Sequence, residues 1–515
     1  MLDIKNVNIK LKNNNRKLVI DFNFSLNDGD KAVIIGEEGN GKSTLIKLIF
    51  DENLIESYCC FDAQIIRNNS YLGYLEQEMD EQWNNFSVYE YLAKDNPLSN
   101  LYSPLFDYSL LASILSDLTI EHKIIQSGQK INTLSGGEKI KIQLAKILVR
   151  NPDVLLLDEP TNDLDLDTLK WLEDFIVSTK KPIIFVSHDE TLIEKTANVI
   201  IHLEQIKKKS EPRHSIEKMG YKEYVYKRSL MFQKQEQIAR KQRVEHKSKM
   251  KQWRQVYNKV EYQQETITRA DPSGGRLLKK KMKSLKSQEH RFGEEAENFL
   301  EIPDLEEAIN INFNNIDIPN GKTVLDLSID ALCINGKQLS ENIKLVVTGP
   351  EHIAIIGDNG VGKTTLLKEI YKVLINKNDI KVAYMPQYYE EKLIYNSTPL
   401  EFLAPNAKNE EITRAYTYMG NMKFTFQEMN QKIGELSSGQ KAKLLFLEMI
   451  LNEYDVLLLD EPTRNFSPLS NPVLREGLAQ YDGVIISISH DRKYIKEVCN
   501  HTYKLTPTGL KRFNI

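Results

Sequence analysis

The 515-residue sequence lacks the features that would place a protein in a membrane or send it out of the cell. No apolar run approaches the roughly 18 residues that a membrane-spanning helix needs. The first residues, MLDIKNVNIK, have no apolar signal core, so we expect a cytoplasmic protein with no membrane part. Only four cysteines are present (Cys59, Cys60, Cys333 and Cys499). Their spacing fits no metal site, and we expect reduced thiols.

An excess of positive charge is also absent from the chain as a whole, whose net charge is −4. Within Lys207–Arg291, however, about 25 Lys and Arg residues stand against about 9 Asp and Glu residues, a local balance of about +16. A basic segment in an otherwise acidic chain predicts one polyanionic partner that is met at one place. The length predicts two or more domains, each with its own core.

A phosphate loop stands near the start of the chain. Strands are predicted over Leu18–Phe24 and Lys31–Ile35, and the second is followed by GEEGNGKST and an apolar helix pattern. This is the G-x-x-x-x-G-K-[ST] motif in its strand–loop–helix context. Its backbone N–H groups surround phosphates, its lysine reaches the β- and γ-phosphates, and its serine hydroxyl is placed to bind Mg²⁺. The predicted nucleotide-binding residues are Gly36, Gly39, Gly41, Lys42, Ser43 and Thr44.

Two later strands end in residues suited to phosphate chemistry. Val154–Leu157 leads into Asp158 and Glu159, and Pro182–Val186 leads into the SHD motif with His188. Doubly wound sheets bind ligands at the carboxyl ends of their strands, so these side chains should face the phosphate loop. We assign Asp158 to the Mg²⁺ shell, Glu159 to polarising the attacking water and His188 to the γ-phosphate. A strand-end histidine alone is more often structural; the companion motifs favour the catalytic role.

A second anion site is predicted at LSGGE. Ser135, Gly136 and Gly137 open an apolar helix, and such an N-terminus attracts phosphate. It is too far along the predicted sheet to serve the loop Gly36–Thr44. Gln77, in LGYLEQE, is a further candidate.

The second half of the chain repeats the whole series, which indicates a tandem duplication. GDNGVGKTT, VAYMPQ, LSSGQ, VLLLDEP and ISHD follow in the same order. The corresponding nucleotide-binding candidates are Gly357, Gly360, Gly362, Lys363, Thr364, Thr365, Gln387, Ser437, Gly439 and Asp460, with Glu461 and His490 as catalytic candidates.

This motif order resembles the ATP-binding cassette (ABC) ATPases, whose α/β cassettes dimerise head to tail so that each signature helix covers the other's ATP. The resemblance implies a monomer with intramolecular cassette pairing and ATP hydrolysis at two sites. One ATP would lie between Gly36–Thr44 and Ser437/Gly439, the other between Gly357–Thr365 and Ser135/Gly137. Implied Mg²⁺ ligands are Ser43, Gln77 and Asp158 at one site and Thr364, Gln387 and Asp460 at the other.

The sequence departs from the family pattern in three places. Asp165 in TNDLDL holds the cross-interface position of the family, whereas TRNFSPLSN in the second half has no such Asp. The second signature has Ser438 where the first has Gly136. No Tyr or Phe near Leu11 or Ile334 is placed to stack on adenine, which leaves ATP against GTP open.

The linker between the halves predicts an α-helical hairpin. From Leu278, a coiled-coil seam runs through Met282, Leu285, Glu289, Phe292, Ala296 and Phe299. A helix is also predicted over about Ser215–Tyr257, and Ala270–Gly275 is a breaker cluster, so the tip should fall within Lys251–Gly275. We expect a first ABC domain over residues 1–206, the hairpin over 207–300 and a second ABC domain over 301–515.

Residues near the predicted tip are candidates for RNA contact. Aromatic rings stack on unpaired bases, and Lys and Arg neutralise phosphates. The alternative is that the rings pack on the partner helix and the charges only solvate it. The candidates are Trp253, Arg254, Tyr257, Tyr262 and Arg269.

Two cassettes fused through a basic linker of about 85 residues resemble the ABC-F family of ribosome-acting ATPases. In that family the hairpin enters the ribosomal E site and points toward the P-site tRNA, which implies the bacterial 70S ribosome, with its 23S rRNA, as partner. The chain resembles the antibiotic-resistance members, which act against lincosamides, pleuromutilins and streptogramin A. Three features carry this resemblance: the absence of an arm insertion between Gln77 and Leu134, the long tip and TRNFSPLSN. The alternatives are a housekeeping translation factor and, more remotely, the ATPase subunit of an exporter.

Overall fold

The structure is a computed structural model that describes residues 2–13, 15–68, 70–77, 79–98, 108–118, 120, 124–125, 127–161, 164–206, 211–266, 272–300, 313, 318–334, 336–406 and 408–513. The chain forms two compact units. One unit consists of Met1–Tyr221 together with Glu306–Ile515, and the other consists of Lys222–Leu305. In the residues described, no helix combines the length and apolar character needed to cross a bilayer.

The first half is built on two sheets. A six-stranded sheet has the order β5-β6-β7-β3-β8-β9, in which β9 alone pairs antiparallel, and a three-stranded antiparallel sheet has the order β2-β1-β4. The central strands β3, β6 and β7 are buried at every position, as expected where helices cover both faces of a parallel sheet. The strands are β1 (Leu2–Leu11), β2 (Lys17–Leu26), β3 (Lys31–Ile35), β4 (Cys59–Ile66), β5 (Leu72–Leu75), β6 (Val154–Asp158), β7 (Ile183–Val186), β8 (Val199–Gln205) and β9 (Glu211–Glu217).

Helices of the first half follow the strands whose ends carry the motifs. The phosphate loop leads directly into α1, the LSGGE motif into α5 and the SHD motif into α7, so each helix N-terminus stands beside a motif. The helices are α1 (Lys42–Phe50), α2 (Asn53–Glu56), α3 (Val88–Ala93), α4 (Tyr108–Asp117), α5 (Gly136–Leu148), α6 (Leu166–Ser178) and α7 (Glu190–Thr196).

The linker contains two long helices, α8 (Tyr221–Thr266) and α9 (Pro272–Glu297). They run antiparallel, because the Trp253 indole N–H donates to the Leu285 carbonyl at 3.0 Å and Lys249 pairs with Glu295 at 3.4 Å. Ala239 and Leu285 are buried in the seam, whereas the predicted seam residue Glu289 is exposed.

One expectation about the linker helices is wrong. The first helix does not begin near Ser215, because residues 211–217 form β9 and complete the sheet of the first half by pairing with β8. That half therefore extends beyond residue 206. The change from α8 to α9 falls between Thr266 and Pro272, inside the predicted range Lys251–Gly275. Of the breaker cluster, Ala270 and Asp271 lie outside the described residues, and Pro272–Gly275 forms the first turn of α9. Proline is well suited to a first turn, where its missing N–H has no helical partner.

The second half repeats the architecture with a simpler second sheet. Its six-stranded sheet has the order β13-β14-β15-β12-β16-β17, and β10 pairs with β11. The strands are β10 (Thr323–Ile334), β11 (Lys337–Thr348), β12 (His352–Ile356), β13 (Val382–Met385), β14 (Val456–Asp460), β15 (Val484–Ile488), β16 (His501–Thr506) and β17 (Gly509–Phe513). The helices are α10 (Lys363–Ile375), α11 (Pro399–Leu403), α12 (Asn409–Asn421), α13 (Phe426–Asn430), α14 (Ser438–Asn452), α15 (Asn471–Ala479) and α16 (Arg492–Val498). The two halves thus have the predicted α/β fold class.

Candidate nucleotide sites

Both phosphate loops wrap around their own lysine. The Lys42 ammonium donates to the carbonyls of Gly36 at 2.9 Å and Glu37 at 3.2 Å, and Lys363 donates to Gly357 at 2.6 Å. Gly36 has a φ of 143°, and a Cβ there would lie 2.2 Å from the Leu203 carbonyl oxygen. Glycine is therefore required at this turn by both backbone conformation and space.

The candidate Mg²⁺ ligands lie together at the start of α1 and α10. The Ser43 hydroxyl donates to Asp158 Oδ1 at 2.8 Å, and the Thr364 hydroxyl bonds to Asp460. Asp460 Oδ2 is buried without a hydrogen-bond partner, as expected of an oxygen that binds a cation. Burial raises the pKa of Asp460 to about 6. Among the described residues, no three His, Cys, Asp or Glu side chains group as a metal site. Mg²⁺ is commonly held by one or two protein ligands, which these side chains could supply, together with substrate phosphates.

The candidate catalytic glutamates lie beside the candidate histidines. His188 Nε2 lies 3.0 Å from Glu159 Oε1, and His490 Nε2 lies 3.6 Å from Glu461 Oε1. Glu159 and Glu461 have φ values of 49° and 51°, left-handed backbone that non-glycine residues rarely adopt. Such strain concentrates at functional sites.

The electrostatics of these two glutamates differ. Burial by itself would raise the pKa of Glu159, but His188 and Lys42 hold it below the ordinary value. Burial and the neighbouring Asp460 carboxylate raise the pKa of Glu461. Burial also lowers the pKa of His490 to about 3, with Lys363 adding to the shift, so this imidazole is neutral near pH 7.

The signature serines cap their helices. Ser135 accepts the Glu138 N–H at the start of α5, and Ser437 accepts the Gln440 N–H at the start of α14. The Gly439 N–H at this second helix end donates to the Glu38 carboxylate of the first phosphate loop. An acidic group of one half thus already lies on the signature helix of the other.

Each candidate site is a cavity lined by both halves. The first cavity, of about 430 Å³, joins the loop of the first half to Ser438, Lys441 and Asn465, and the second, of about 520 Å³, joins the loop of the second half to Gly136 and Thr161. Gln77 lines the first cavity and Gln387 lines both. The further candidates at the cavities are Gly39, Gly41, Thr44, Gly360, Gly362 and Thr365.

Aromatic side chains are present at one site, away from the positions considered from the sequence. Tyr388, Tyr389 and Tyr395 line the first cavity, and the second is lined by Ile334 and Leu339. The three tyrosines follow Gln387 in the second half. Their approach to a loop in the first half is visible only once the halves are paired.

Ion pairs join the two halves beside the candidate sites. The positive and negative members of these pairs are distributed unequally between the halves. Arg475 pairs with Glu190, both side chains being at most 5% exposed, and Arg492 pairs with Glu173. Glu190 and Arg492 each follow an SHD motif directly, and Glu173 and Arg475 each follow a DEP glutamate by the same interval (159 to 173, 461 to 475). At equivalent positions the first half therefore supplies glutamate and the second supplies arginine.

The hairpin candidates have different environments. Trp253 is half-buried on α9 through its hydrogen bond to Leu285, and its ring lies 5.0 Å from that of Tyr257. Arg254 is exposed and Tyr262 is 67% exposed. Arg269 lies outside the described residues. The described hairpin candidates belong to the unit Lys222–Leu305, whereas the nucleotide-site candidates belong to the other unit.

Comparisons with known proteins agree with this description. The ABC transporter family model matches residues 19–162 and 340–464. The chain is 28% identical to the ribosome protection protein VmlR of Bacillus subtilis, over 95% of this chain and 84% of VmlR. It is 27% identical to the ATP-binding protein Uup of Buchnera aphidicola, over 98% and 80% of the respective chains. ABC transporter F family member 2 of Arabidopsis thaliana is 25% identical, over 95% and 74%.

Among solved structures, the chain is similar to the archaeal ribosome recycling factor aABCE1, crystallised with the ribosomal stalk protein aP1. The TM-score is 0.59 over 98% of this chain and 89% of that one. At 16% identity, this similarity shows a shared fold of tandem nucleotide-binding domains.

Proposed function

Because the chain belongs to the ATP-binding cassette family, we propose that it is an ABC-F ATPase that binds the bacterial ribosome and protects its peptidyl-transferase centre from antibiotics. It is an ATPase that binds ATP, and two composite cavities in one chain carry the proposal. Each joins a phosphate loop and a catalytic glutamate from one half to signature residues from the other.

At each site the roles follow from position. Lys42 and Lys363 would contact the β- and γ-phosphates, and Glu159 and Glu461 would polarise the attacking water. Ser43 with Asp158, and Thr364 with Asp460, would hold Mg²⁺, which supplies charge neutralisation at the phosphates. ATP binding would favour the closed pairing of the halves, and hydrolysis would release it.

The ribosome is proposed as partner because of the hairpin and the relatives. Its Lys and Arg residues suit an RNA channel, and the exposed Arg254 and Tyr262 suit phosphate and base contacts. We place the hairpin at the E site, with its tip toward the P-site tRNA and 23S rRNA, in a cytoplasmic, ribosome-associated protein. Similarity to a protein named as a ribosome protection protein supports target protection.

A housekeeping translation factor is the second candidate, since the relatives also include Uup, whose name states ATP binding and no resistance role. Expression in a drug-susceptible host distinguishes the two. A rise in the inhibitory concentration of a lincosamide, pleuromutilin or streptogramin A is expected for target protection, and none is expected for a housekeeping factor. The Lys42→Ala/Lys363→Ala variant should give no protection and is the negative control.

Sedimentation with 70S ribosomes tests the ribosome assignment. The Glu159→Gln/Glu461→Gln variant, which should bind ATP without hydrolysing it, is expected in the ribosome pellet with ATP and in the supernatant with ADP. Its absence from the pellet under both conditions would contradict ribosome binding.

Salt dependence tests the role of the basic hairpin. Replacing the exposed Lys279, Lys280 and Lys281 with Gln in that trapped variant should lower the slope of log affinity against log salt by about 2 to 3. The control changes Lys381, Lys408 and Lys511, equally exposed lysines of the second half, and should leave the slope unchanged.

A further inference from the structure

The side chain of Glu37, the second residue of the first phosphate loop, hydrogen-bonds to the second half. Its Oε1 accepts hydrogen bonds from the hydroxyls of Ser467, at 2.7 Å, and Ser470. Lys443, on the signature helix α14, has its ammonium 3.6 Å from Oε2. The Glu37 and Lys443 side chains are only 14% and 9% exposed. We call Glu37, Lys443, Ser467 and Ser470 the Glu37 cluster.

The second phosphate loop has no matching cluster among the described residues. Its equivalent side chain, Asp358, is exposed, and no described residue of the first half donates a hydrogen bond to its carboxylate. The residue equivalent to Ser467 is Asp165, since each follows its DEP glutamate by the same interval (159 to 165, 461 to 467). Asp165 caps α6 by accepting the Thr168 N–H at 2.8 Å and lies within electrostatic reach of Lys363.

The carboxylate at the interface thus comes from a different segment at each of the two sites. In the second site, the segment after DEP brings a carboxylate toward the phosphate loop. In the first site, that segment brings hydroxyl groups, and the phosphate loop itself supplies the carboxylate. The missing Asp in TRNFSPLSN is therefore matched by Glu37.

The Glu37 contacts are strong and are made between protein groups alone. A carboxylate that accepts hydroxyl hydrogen bonds beside an ammonium makes charge-assisted bonds, about twice as strong as neutral ones. Burial by itself would raise the pKa of Glu37, but Lys443, Ser470, Ser467 and Lys42 lower it to about 2. The group is charged at neutral pH.

We propose that Glu37 is a positioning residue that holds the first nucleotide site closed against the second half, so that this site retains nucleotide while the second site opens and turns over. The inference rests on the proposed ATP binding at composite sites and is independent of ribosome binding. The sites would accordingly have different residence times for nucleotide.

Release of radiolabelled ATP from the full-length Glu159→Gln/Glu461→Gln protein tests this. Release should show a slow and a fast phase. The slow phase should disappear when Lys42→Ala is added and persist when Lys363→Ala is added, which assigns it to the first site. If no bound ATP is detected, the proposed ATP binding itself is contradicted. If ATP leaves both sites in a single phase, only the inference is overturned.

Removing either side of the cluster should accelerate the slow phase. Glu37→Ala is expected to speed it about 10- to 100-fold, the scale of a lost charge-assisted pairing, with the fast phase unchanged. Glu37→Gln, which keeps an acceptor oxygen, should have a smaller effect. The matched control Asp358→Ala should leave the slow phase at its original rate.

The Ser467→Ala/Ser470→Ala variant removes the same hydrogen bonds without changing the phosphate loop. It should reproduce the faster release, and adding Glu37→Ala should accelerate it by less than the two separate effects combined, since groups in contact are not additive. If Glu37→Ala disturbs the loop and loses both phases, the serine variant decides. An unchanged slow phase in that variant, or full additivity, would overturn the proposal.

Discussion

The first and second candidate nucleotide sites are built from the same series of motifs and differ in how they are completed. In the first, Glu159 has a lowered pKa beside His188, three tyrosines line the cavity and Glu37 binds the opposite half. In the second, Glu461 has a raised pKa, Ile334 and Leu339 line the cavity and the loop carboxylate is exposed. The two sites thus differ both in the electrostatics of their motif residues and in the side chains outside the motifs that line the cavities.

The comparison predicts unequal effects of the two glutamates on turnover. Glu461→Gln should lower steady-state ATP hydrolysis by about 10²- to 10⁴-fold, the range of general-base losses, because the second site opens and turns over. Glu159→Gln should leave substantially more activity. Phosphate release measured for both single variants checks this, and greater damage from Glu159→Gln would reverse the comparison.

At equivalent interface positions the first half carries glutamate and the second half carries arginine. A charge-reversing substitution on one side should therefore be rescued by the opposite substitution on the other. Arg475→Glu places a third carboxylate beside Glu190 and Glu497, both of which Arg475 contacts, and should destabilise the pairing of the halves by about 3 to 5 kcal/mol. Adding Glu190→Arg should restore most of the loss, as followed by thermal unfolding. The exposed Lys372–Glu369 pair is the control, since Lys372→Ala should cost at most about 1 kcal/mol. No rescue by the double variant would argue against a direct pairing.

The pH dependence of hydrolysis should separate the sites. A base acts when it is ionised, so the raised pKa of Glu461 shifts the rising limb of the second site to higher pH, with about a tenfold rise per pH unit below that pKa. The lowered pKa of Glu159 keeps the first site ionised down to lower pH. Profiles of Lys42→Ala, reporting the second site, and Lys363→Ala, reporting the first, should therefore be displaced in this direction. Coincident pH profiles would contradict a difference in pKa between Glu159 and Glu461.

The smallest expected effect concerns the aromatic lining. Tyr395→Leu should weaken nucleotide binding at the first site about 2- to 10-fold, the scale of one aromatic contact. Binding by the second site, measured in the Lys42→Ala background, should not change. Equal weakening at both sites would show that the tyrosines do not distinguish them.

The sequence alone predicted the local features of the two halves well. The buried runs Lys31–Ile35 and His352–Ile356 are strands with the expected bounds. A strand that is covered on both faces has a nearly continuous apolar sequence, which can be recognised without the structure. The phosphate loops lie between strand and helix as expected. The error at residues 211–217 has a tertiary cause, since this polar segment is a strand through its pairing with β8.

The sequence by itself determined the duplication, the motif order, the α/β class and the basic linker, because each depends on residues close together in the chain. Only the tertiary structure decided which residues complete each site. Glu37 meets Ser467 and Ser470 across more than 400 positions, Tyr395 reaches the loop of the other half, and glutamates meet arginines along the interface. No local pattern encodes such contacts, because they exist only once the two halves of the chain are paired.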